Sequence, residues 1–377
     1  MNSNFDVLII GAGVIGSSIA YHLAGQGVRL LVIERAHIAE NPAASWASAG
    51  GVRRQGRHHA EARLAGEAIA RWLSLADELE DDLHYRRGGN LLLAESEEEA
   101  QQLVHFVQRQ HELGFTDVRL LDREETIHVQ PGLADHIIAA SYSPDDGQAD
   151  PVSTTRAFAN AARRLGAEFL LETRVHSLLH NEQRIQGVST AQGDFLASHV
   201  VLAAGAWGNE LAAIAGLRLP LHTVALQMLL TDAASEPVLQ PVLGAMGRKL
   251  SLKQLADGAF LVGGGWQGEV LLDTNSYILR PDQMESNWQV ACSALPALAM
   301  QQVVRSWCGL EAECVDRIPL VGPVPGWQGL ILALGFSGHG FALSPAIGRA
   351  VANRVLEKPA PELDDLLPGR FAHLAER

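Results

Sequence analysis

Residues 6–34, DVLIIGAGVIGSSIAYHLAGQGVRLLVIE, constrain the chain more than any other stretch. Residues 7–10 form an unbroken apolar run, the pattern of a parallel strand buried on both faces. The run passes directly into Gly11-Ala12-Gly13-Val14-Ile15-Gly16, which fits G-x-G-x-x-G. Small and apolar residues over 17–24 then suit a helix packed on a sheet, and a second apolar run, 30–33, closes on Glu34. Strand, glycines, helix, strand and acid, with the acid roughly 20 residues on, make a dinucleotide-binding unit. Gly11 permits the tight turn, Gly13 admits a pyrophosphate close to the backbone, and Gly16 lets the helix lie against the strand. The free N–H groups at the helix start, those of Val14 and Ile15 among them, face the phosphates. Glu34 accepts from ribose hydroxyls and repels a 2′-phosphate, with Arg35 beside it. The unit alone does not choose between NAD and FAD.

A chain of 377 residues has room for two cores. Its net charge of −14 argues against a nucleic-acid or anionic-membrane surface. Three cysteines, Cys292, Cys308 and Cys314, include no C-x-x-C pair, which argues against a zinc site, an Fe–S cluster held by this chain alone, or a disulfide framework. The opening residues lack a basic segment and read as the approach to a strand, not a signal peptide; no stretch of about 20 apolar residues suggests a membrane span. A cytoplasmic protein with reduced thiols is expected.

Further along, ASWASAGGVRRQGR (44–57) is small and glycine-rich, then abruptly basic. Such a run lets a pyrophosphate or flavin ring approach the backbone, through Ser45, Ser48, Ala49, Gly50 and Gly51. Apolar spacing predicts one long helix over 60–82, a strand over 85–94 and helices over 97–113 and 151–165. Residues 199–207, HVVLAAGAW, repeat the opening logic of strand, glycine and helix. Residues 217–320 alternate instead, as a mixed sheet does, with one helix over 283–291. The first texture then returns: a strand over 330–333, the loop GFSGHGF and a helix from about Pro345. The expected architecture is α/β, a discontinuous Rossmann-like cofactor domain (1–85, 146–216 and 321–377) with an inserted α+β, mixed-sheet substrate domain (86–145 and 217–320).

Taken together, DVLIIGAGVIGSSIAYHLA with Glu34, DGQADP (146–151), VLAAGAWGNEL (201–211), VGGGW (262–266), WCGLEAECVDRIPLVGP (307–323) and GFSGHGF (335–341) resemble the glutathione-reductase-type, D-amino-acid-oxidase-like flavoenzymes. The resemblance covers essentially the whole chain and is nearest the FAD-containing subunit of heteromeric D-hydroxyproline, proline or opine dehydrogenases, relatives of glycine and sarcosine oxidases. It implies FAD, bound non-covalently. By the resemblance Val175 contacts adenine through its backbone, and Ala204-Gly205, with Trp207 nearby, flank the pyrophosphate. Gly309 and the loop of Gly335, Ser337, Gly338, His339 and Gly340 belong to the flavin end. The N–H groups of Gly338, His339 and Gly340 then stabilise negative charge at the flavin N1/O2 edge, and His339 donates to or orients the substrate.

The implied reaction is oxidation of the C–N bond of a secondary or D-amino acid, by hydride transfer to flavin N5, giving an imine. Arg53, Arg54 and Arg57 are the candidate cations for the substrate carboxylate, with Arg54 taken as the catalytic one, and Lys253 and Trp266 as further substrate contacts. Two departures bear on the substrate. Where glycine oxidases carry Arg-Pro after Trp-x-Gly-Leu, this chain has Glu311-Ala312-Glu313, and an acid there suits a cationic or secondary amine. Gly263-Gly264-Gly265 offers no counterpart to the oxygen-activating lysine of monomeric sarcosine oxidases. The resemblance therefore implies a dehydrogenase inside a hetero-oligomer, with an Fe–S-containing or electron-accepting partner, an FMN at a subunit interface, and attachment to the inner membrane only through partners. The alternatives are a stand-alone oxidase making hydrogen peroxide and a non-catalytic FAD-binding subunit.

Overall fold

A computed structural model describes residues 3–371; the outer ends of the expected cofactor segments, 1–2 and 372–377, lie outside the described residues. Strand Ser3–Ile10 runs parallel to Leu30–Ile33 on one side and to Gly193–Leu202 on the other, inside an eight-stranded sheet. Ile10 pairs with both Ile33 and Leu202, so the three strands end at one level. The chain leaves the central strand to one side first and only later to the other. Such a reversal opens a crevice at the carboxyl ends of the strands, where ligands bind in open α/β sheets. Leu330–Leu334 extends the parallel set and Leu320–Pro323 closes that edge antiparallel. Val7, Leu8 and Ile9 are all buried, which is why the run is apolar without alternation.

Helices Val14–Leu23, Pro151–Arg164 and Gly340–Val355 pack together over this sheet. Small residues set how closely they pack. A Cβ on Gly348 would fall 2.0 Å from Ser18 Oγ, and that hydroxyl donates to Ser344 O at 2.7 Å across the contact. The last helix begins at Gly340, five residues before the Pro345 expected to open it. Proline there removes the donor for the Phe341 carbonyl, and Ser344 Oγ takes its place at 2.9 Å. Trp72 Nε1 donates to the neighbouring Ala342 O at 2.9 Å. The helix thus tolerates its proline because side chains serve its first turn.

The single helix expected over 60–82 is two, His59–Trp72 and Leu75–Leu79. Arg71 holds the corner, donating to Pro345 O and to Glu78, each at 2.6 Å, while Leu73 turns out to solvent and Leu75 turns inward.

The second sheet runs in the order Val303–Cys314, Leu221–Ala233, Ala259–Gly263, Ser251–Gln254, Val242–Ala245, Asn90–Ala94, Ala139–Ser143 and Arg119–Asp122. Only Val242–Ala245 and Asn90–Ala94 pair parallel, so this sheet is mixed, as expected. Asn90–Ala94 is shorter than the predicted 85–94, because the residues before it pair elsewhere: Arg86 exchanges backbone hydrogen bonds with Gln148, at 2.8 and 3.0 Å. The twelve-residue strand Val303–Cys314 is the main element that periodicity did not reveal. Gly309 and Glu311 interrupt its apolar pattern, and each does so for the site described next.

Candidate active site

A cavity of about 610 Å³ extends from the glycine loop after Ile10 to the loop after Leu334. At the first end the walls are backbone. Gly11 has φ +104°, and a Cβ there would sit 2.5 Å from Ala203 O; one on Gly16 would sit 1.9 Å from Gly11 O. Ser45 Oγ accepts from Val14 N at 2.9 Å. Glu34 accepts from Ala12 N at 2.7 Å and from Ala36 N at 3.0 Å, so its first job is to tie the glycine loop to the second strand. Val175, Ala204 and Gly205 continue this wall, and the Arg35 guanidinium lies 3.9 Å over the Trp207 ring at the same end. A cradle in which added Cβ atoms would collide, open on a long cavity, fits an extended dinucleotide such as FAD.

Helix Ala44–Ala47, with the loop and strand after it, brings Ser45, Ser48, Ala49 and Gly51 into the lining of the cavity. Gly309 lets that helix pack on Val303–Cys314, since a Cβ would lie 2.5 Å from the Ala47 Cβ. Ser48 Oγ accepts from Gly50 N at 3.0 Å. Gly50 itself is outside the lining; its φ of +68° and its closeness to Ala149 O explain the glycine. Gly16 is likewise a packing residue behind the cavity.

At the far end the walls are charged side chains. His339 Nδ1 lies 3.0 and 3.1 Å from the two carboxylate oxygens of Glu61, which is fully buried. Burial first, then the Arg57 cation, pushes the imidazole down to about 4 despite Glu61. It is therefore neutral at neutral pH, and its Nε2 is without a protein partner among the described residues. Arg57 is buried and lines the cavity, Nε donates to Arg53 O at 3.1 Å, and Nη1 has no partner among the described residues. Burial lowers it to about 10. Arg53 also lines the cavity, and burial lowers it too. Glu311 accepts from Gly338 N, and burial raises its carboxyl to about 7.

The expected substrate and catalytic residues thus separate. Arg53, Arg57, Glu311 and His339 all line the cavity, with both arginines facing His339 and Glu311 bonded to Gly338 beside it. Arg54 does not line it: its guanidinium turns away to Asp117 and Asp145 and lies over Phe115. The reason is local, since Arg54 N and Gln55 N both bind the buried Asp146 carboxylate, fixing the loop with Arg54 outward. Lys253 is also outside the lining, buried between Asp150 and Arg86 and lowered by that burial to about 7. Trp266 is also outside the lining, although Gly264 and Gly265 just before it line the cavity.

The three free N–H groups expected in GFSGHGF reduce to fewer. His339 N donates to Phe336 O at 2.9 Å and Gly338 N to Glu311, which leaves Gly340 N at the helix start. Ser337 supports the loop from below, accepting from Cys314 N and donating to Gly335 O, both at 3.1 Å. Gln227, Met228 and Asn90 line the cavity and were not anticipated; neither was Glu61. Glu61 did leave a signal: it falls on the apolar stripe of its helix with Leu64, Ala65 and Ala68. An acid there must have a buried partner.

Among the described residues no group of three or more His, Cys, Asp or Glu could hold a metal ion, and no helix is long and apolar enough to cross a membrane. The family model described as DAO, FAD dependent oxidoreductase, matches residues 6–354. A glycine oxidase of Pseudomonas aeruginosa is 31% identical over 92% of this chain and 93% of its own. The hydrogen cyanide synthase subunit HcnC of the same organism is 28% identical over 98% and 97%. The crystal structure of L-proline dehydrogenase from P. horikoshii superposes with a TM-score of 0.91 at 27% identity, covering 100% of both chains. With the glycine cradle at one end of a single cavity and the family match spanning both sheets, the chain belongs to the DAO family of FAD-dependent oxidoreductases.

Proposed function

We propose that this chain oxidises the C–N bond of a small amino acid, a secondary or D-amino acid of the proline, hydroxyproline, sarcosine or opine type. The observation that carries the reading is the presence, in the lining of one cavity, of an unpartnered Arg57 guanidinium nitrogen and of the Glu311 carboxyl, the first facing His339 and the second bonded to Gly338 beside it. A zwitterionic amino acid presents the complementary pair. FAD, when bound, supplies the two-electron acceptor for the hydride of the α-carbon. Gly11, Gly13, Val14, Ile15, Glu34 and Gly205 would hold its nucleotide half, and Ser48, Ala49 and Gly338–Gly340 its flavin half.

The residues of the chain have separate tasks in this reading. Arg57, with Arg53 behind it, binds the carboxylate and fixes one end of the substrate. Glu311 faces the amine. A carboxyl held near 7 is half ionised at neutral pH, so it both attracts an ammonium and accepts its proton, leaving the nitrogen lone pair that an imine requires. The leucines and Met228 around the substrate end exclude water from the reacting carbon. Non-covalent flavin binding fits the placement of Cys308 and Cys314, which are buried outside the cavity lining and whose thiols burial pushes up to about 12 and about 11.

The division of labour between segments follows the sheets. The second sheet lies wholly within 86–145 and 217–320, and the first within 1–85, 146–216 and 321–377 apart from Leu320. Electrons then pass to a partner subunit rather than to oxygen; the triglycine 263–265 and the similarity to HcnC, itself a subunit, support this. An FMN at a subunit interface is not part of the reading. The glycine oxidase similarity favours one competitor, a stand-alone oxidase. Anaerobic bleaching of the flavin against proline, hydroxyproline, sarcosine, glycine and opines tests the chemistry, and no bleaching by any of them would refute it. Hydrogen peroxide made at the bleaching rate by the purified chain alone would replace the partner with oxygen.

A further inference from the structure

Glu61 lies outside every sequence motif, yet it is fully buried, on helix His59–Trp72, where an unpaired carboxylate would cost several kcal/mol. Its one side-chain hydrogen-bond partner among the described residues is His339 Nδ1, 278 positions away in sequence and nearly equidistant from both oxygens. The two residues therefore exist for each other structurally. The ring of His339 lines the cavity, and its second nitrogen carries no protein hydrogen bond.

We infer that Glu61 is a positioning residue: its carboxylate locks His339 in the Nδ1–H form, so that Nε2 presents an acceptor to an N–H of the substrate amine. The inference rests on the amine reading proposed above. The groups facing His339 are Glu61 from the helix and Arg53 and Arg57 from the loop before it. Burial, and after it the two arginines, keep the ring neutral, and the carboxylate decides which nitrogen holds the single proton. A neutral Nε2 lone pair is complementary to an ammonium or secondary amine N–H and repels a carboxylate oxygen. With Arg57 taking the carboxylate, the amino acid has one orientation, nitrogen toward Nε2, and its α-hydrogen is placed rather than free to rotate. The logic is that of the orienting acid in a catalytic triad, where the wrong tautomer abolishes function with the geometry intact.

The test uses the holoenzyme with ¹⁵N-labelled histidine, the His339 resonances being assigned by their loss in His339→Gln. In the wild type Nδ1 is expected to carry the proton and Nε2 to be bare. In Glu61→Gln the tautomers should mix or invert, and KM for the bleaching amine should rise roughly 10- to 100-fold, the usual cost of losing an orienting partner. On a His339→Gln background the same Glu61→Gln change should move KM less than about twofold, because the acid acts only through the histidine. A wild-type Nε2–H tautomer overturns the inference, and that measurement needs no substrate and no Glu61 variant, only the His339→Gln protein for assignment. An unchanged KM in a Glu61→Gln enzyme with altered tautomers also overturns it, as does a full effect of Glu61→Gln without His339. Absence of bleaching by every amine removes the amine reading and this inference with it, while a wild-type Nε2–H ring removes only the inference.

Discussion

The two ends of the cavity are built from different materials. At the nucleotide end, backbone does the binding, and the residues that matter are the ones whose side chains are missing or small: Gly11, Gly13, Gly16, Ala204, Gly205. At the proposed substrate end, polar and charged side chains line the cavity, and they arrive from three separated places: Arg53 and Arg57, Glu311, and His339, with Glu61 behind the histidine. A backbone site tolerates no change of shape but makes little demand on chemistry. A side-chain site keeps its shape under isosteric substitution and loses its function. The two ends should therefore fail in different ways, and the contrast is measurable.

The largest effect belongs to the backbone end. Gly16→Ala puts a methyl 1.9 Å from Gly11 O, where no flexible side chain can yield. The helix must move off the strand, which costs roughly 1–3 kcal/mol or more and spoils the cradle at the same time. The expected product is a destabilised protein purified without flavin, read from the ratio of visible to ultraviolet absorbance and from Tm. Full flavin content in this variant would break the claim that the cradle is built by close approach.

Arg57→Met comes next and should fail in the opposite way. The protein keeps its flavin, while the amine concentration for half-maximal bleaching rises roughly 10- to 100-fold, the worth of about 1.5–3 kcal/mol for hydrogen bonds to a charge. If flavin content falls instead, Arg57 serves the cofactor and the proposed partition of the cavity is wrong.

This partition also explains what could be read from the sequence. A backbone cradle needs glycines at fixed spacing next to a strand, so residues 11–34 announced themselves, as did GFSGHGF, whose positive φ values at Gly335, Ser337 and Gly338 shape the turn. Side-chain constellations leave no such spacing. Nothing local distinguishes Arg54 from Arg57; the difference is made by Asp146, whose carboxylate takes two backbone N–H groups and turns Arg54 outward. The strand Val303–Cys314 was hidden for a related reason. Its Gly309 and Glu311 serve the cavity, and so break the alternation by which a strand is recognised. Glu61 was visible only as an acid on an apolar stripe, a signal without a named partner until His339 was brought beside it.

Glu311 sharpens the contrast through pH. Burial holds its carboxyl near 7, above the ordinary carboxylate value, so it is protonated and neutral below that pH and anionic above it. Binding of an ammonium to the anionic form requires the proton to leave. Amine affinity should therefore rise by up to about tenfold per pH unit below 7 and level off above it. Equilibrium titration of the flavin spectrum with a competitive amine would measure this. Glu311→Gln should flatten the profile and leave the affinity near the acid-side value. A profile in Glu311→Gln that still bends near 7 assigns the titration elsewhere.

The smallest effect on the site is the most discriminating. Arg54 differs from Arg57 by three positions, and either could have been the substrate cation by sequence. Its guanidinium bonds Asp117 and, at 3.1 Å, Asp145, and Asp145 is also held by Arg87. Removing it in Arg54→Met leaves Asp145 a second partner and leaves Asp117 partly open to water, so the loss of stability should be about 1–3 kcal/mol rather than a collapse. Flavin content and the amine concentration for half-maximal bleaching should stay within about twofold of wild type, because the methionine sits where the arginine sat, outside the cavity. Were Arg54→Met to lose substrate affinity as Arg57→Met does, the loop would have to turn by one register about Asp146. The charged end would then be assembled only when substrate arrives, and not, as the fixed Asp146 contacts imply, before it.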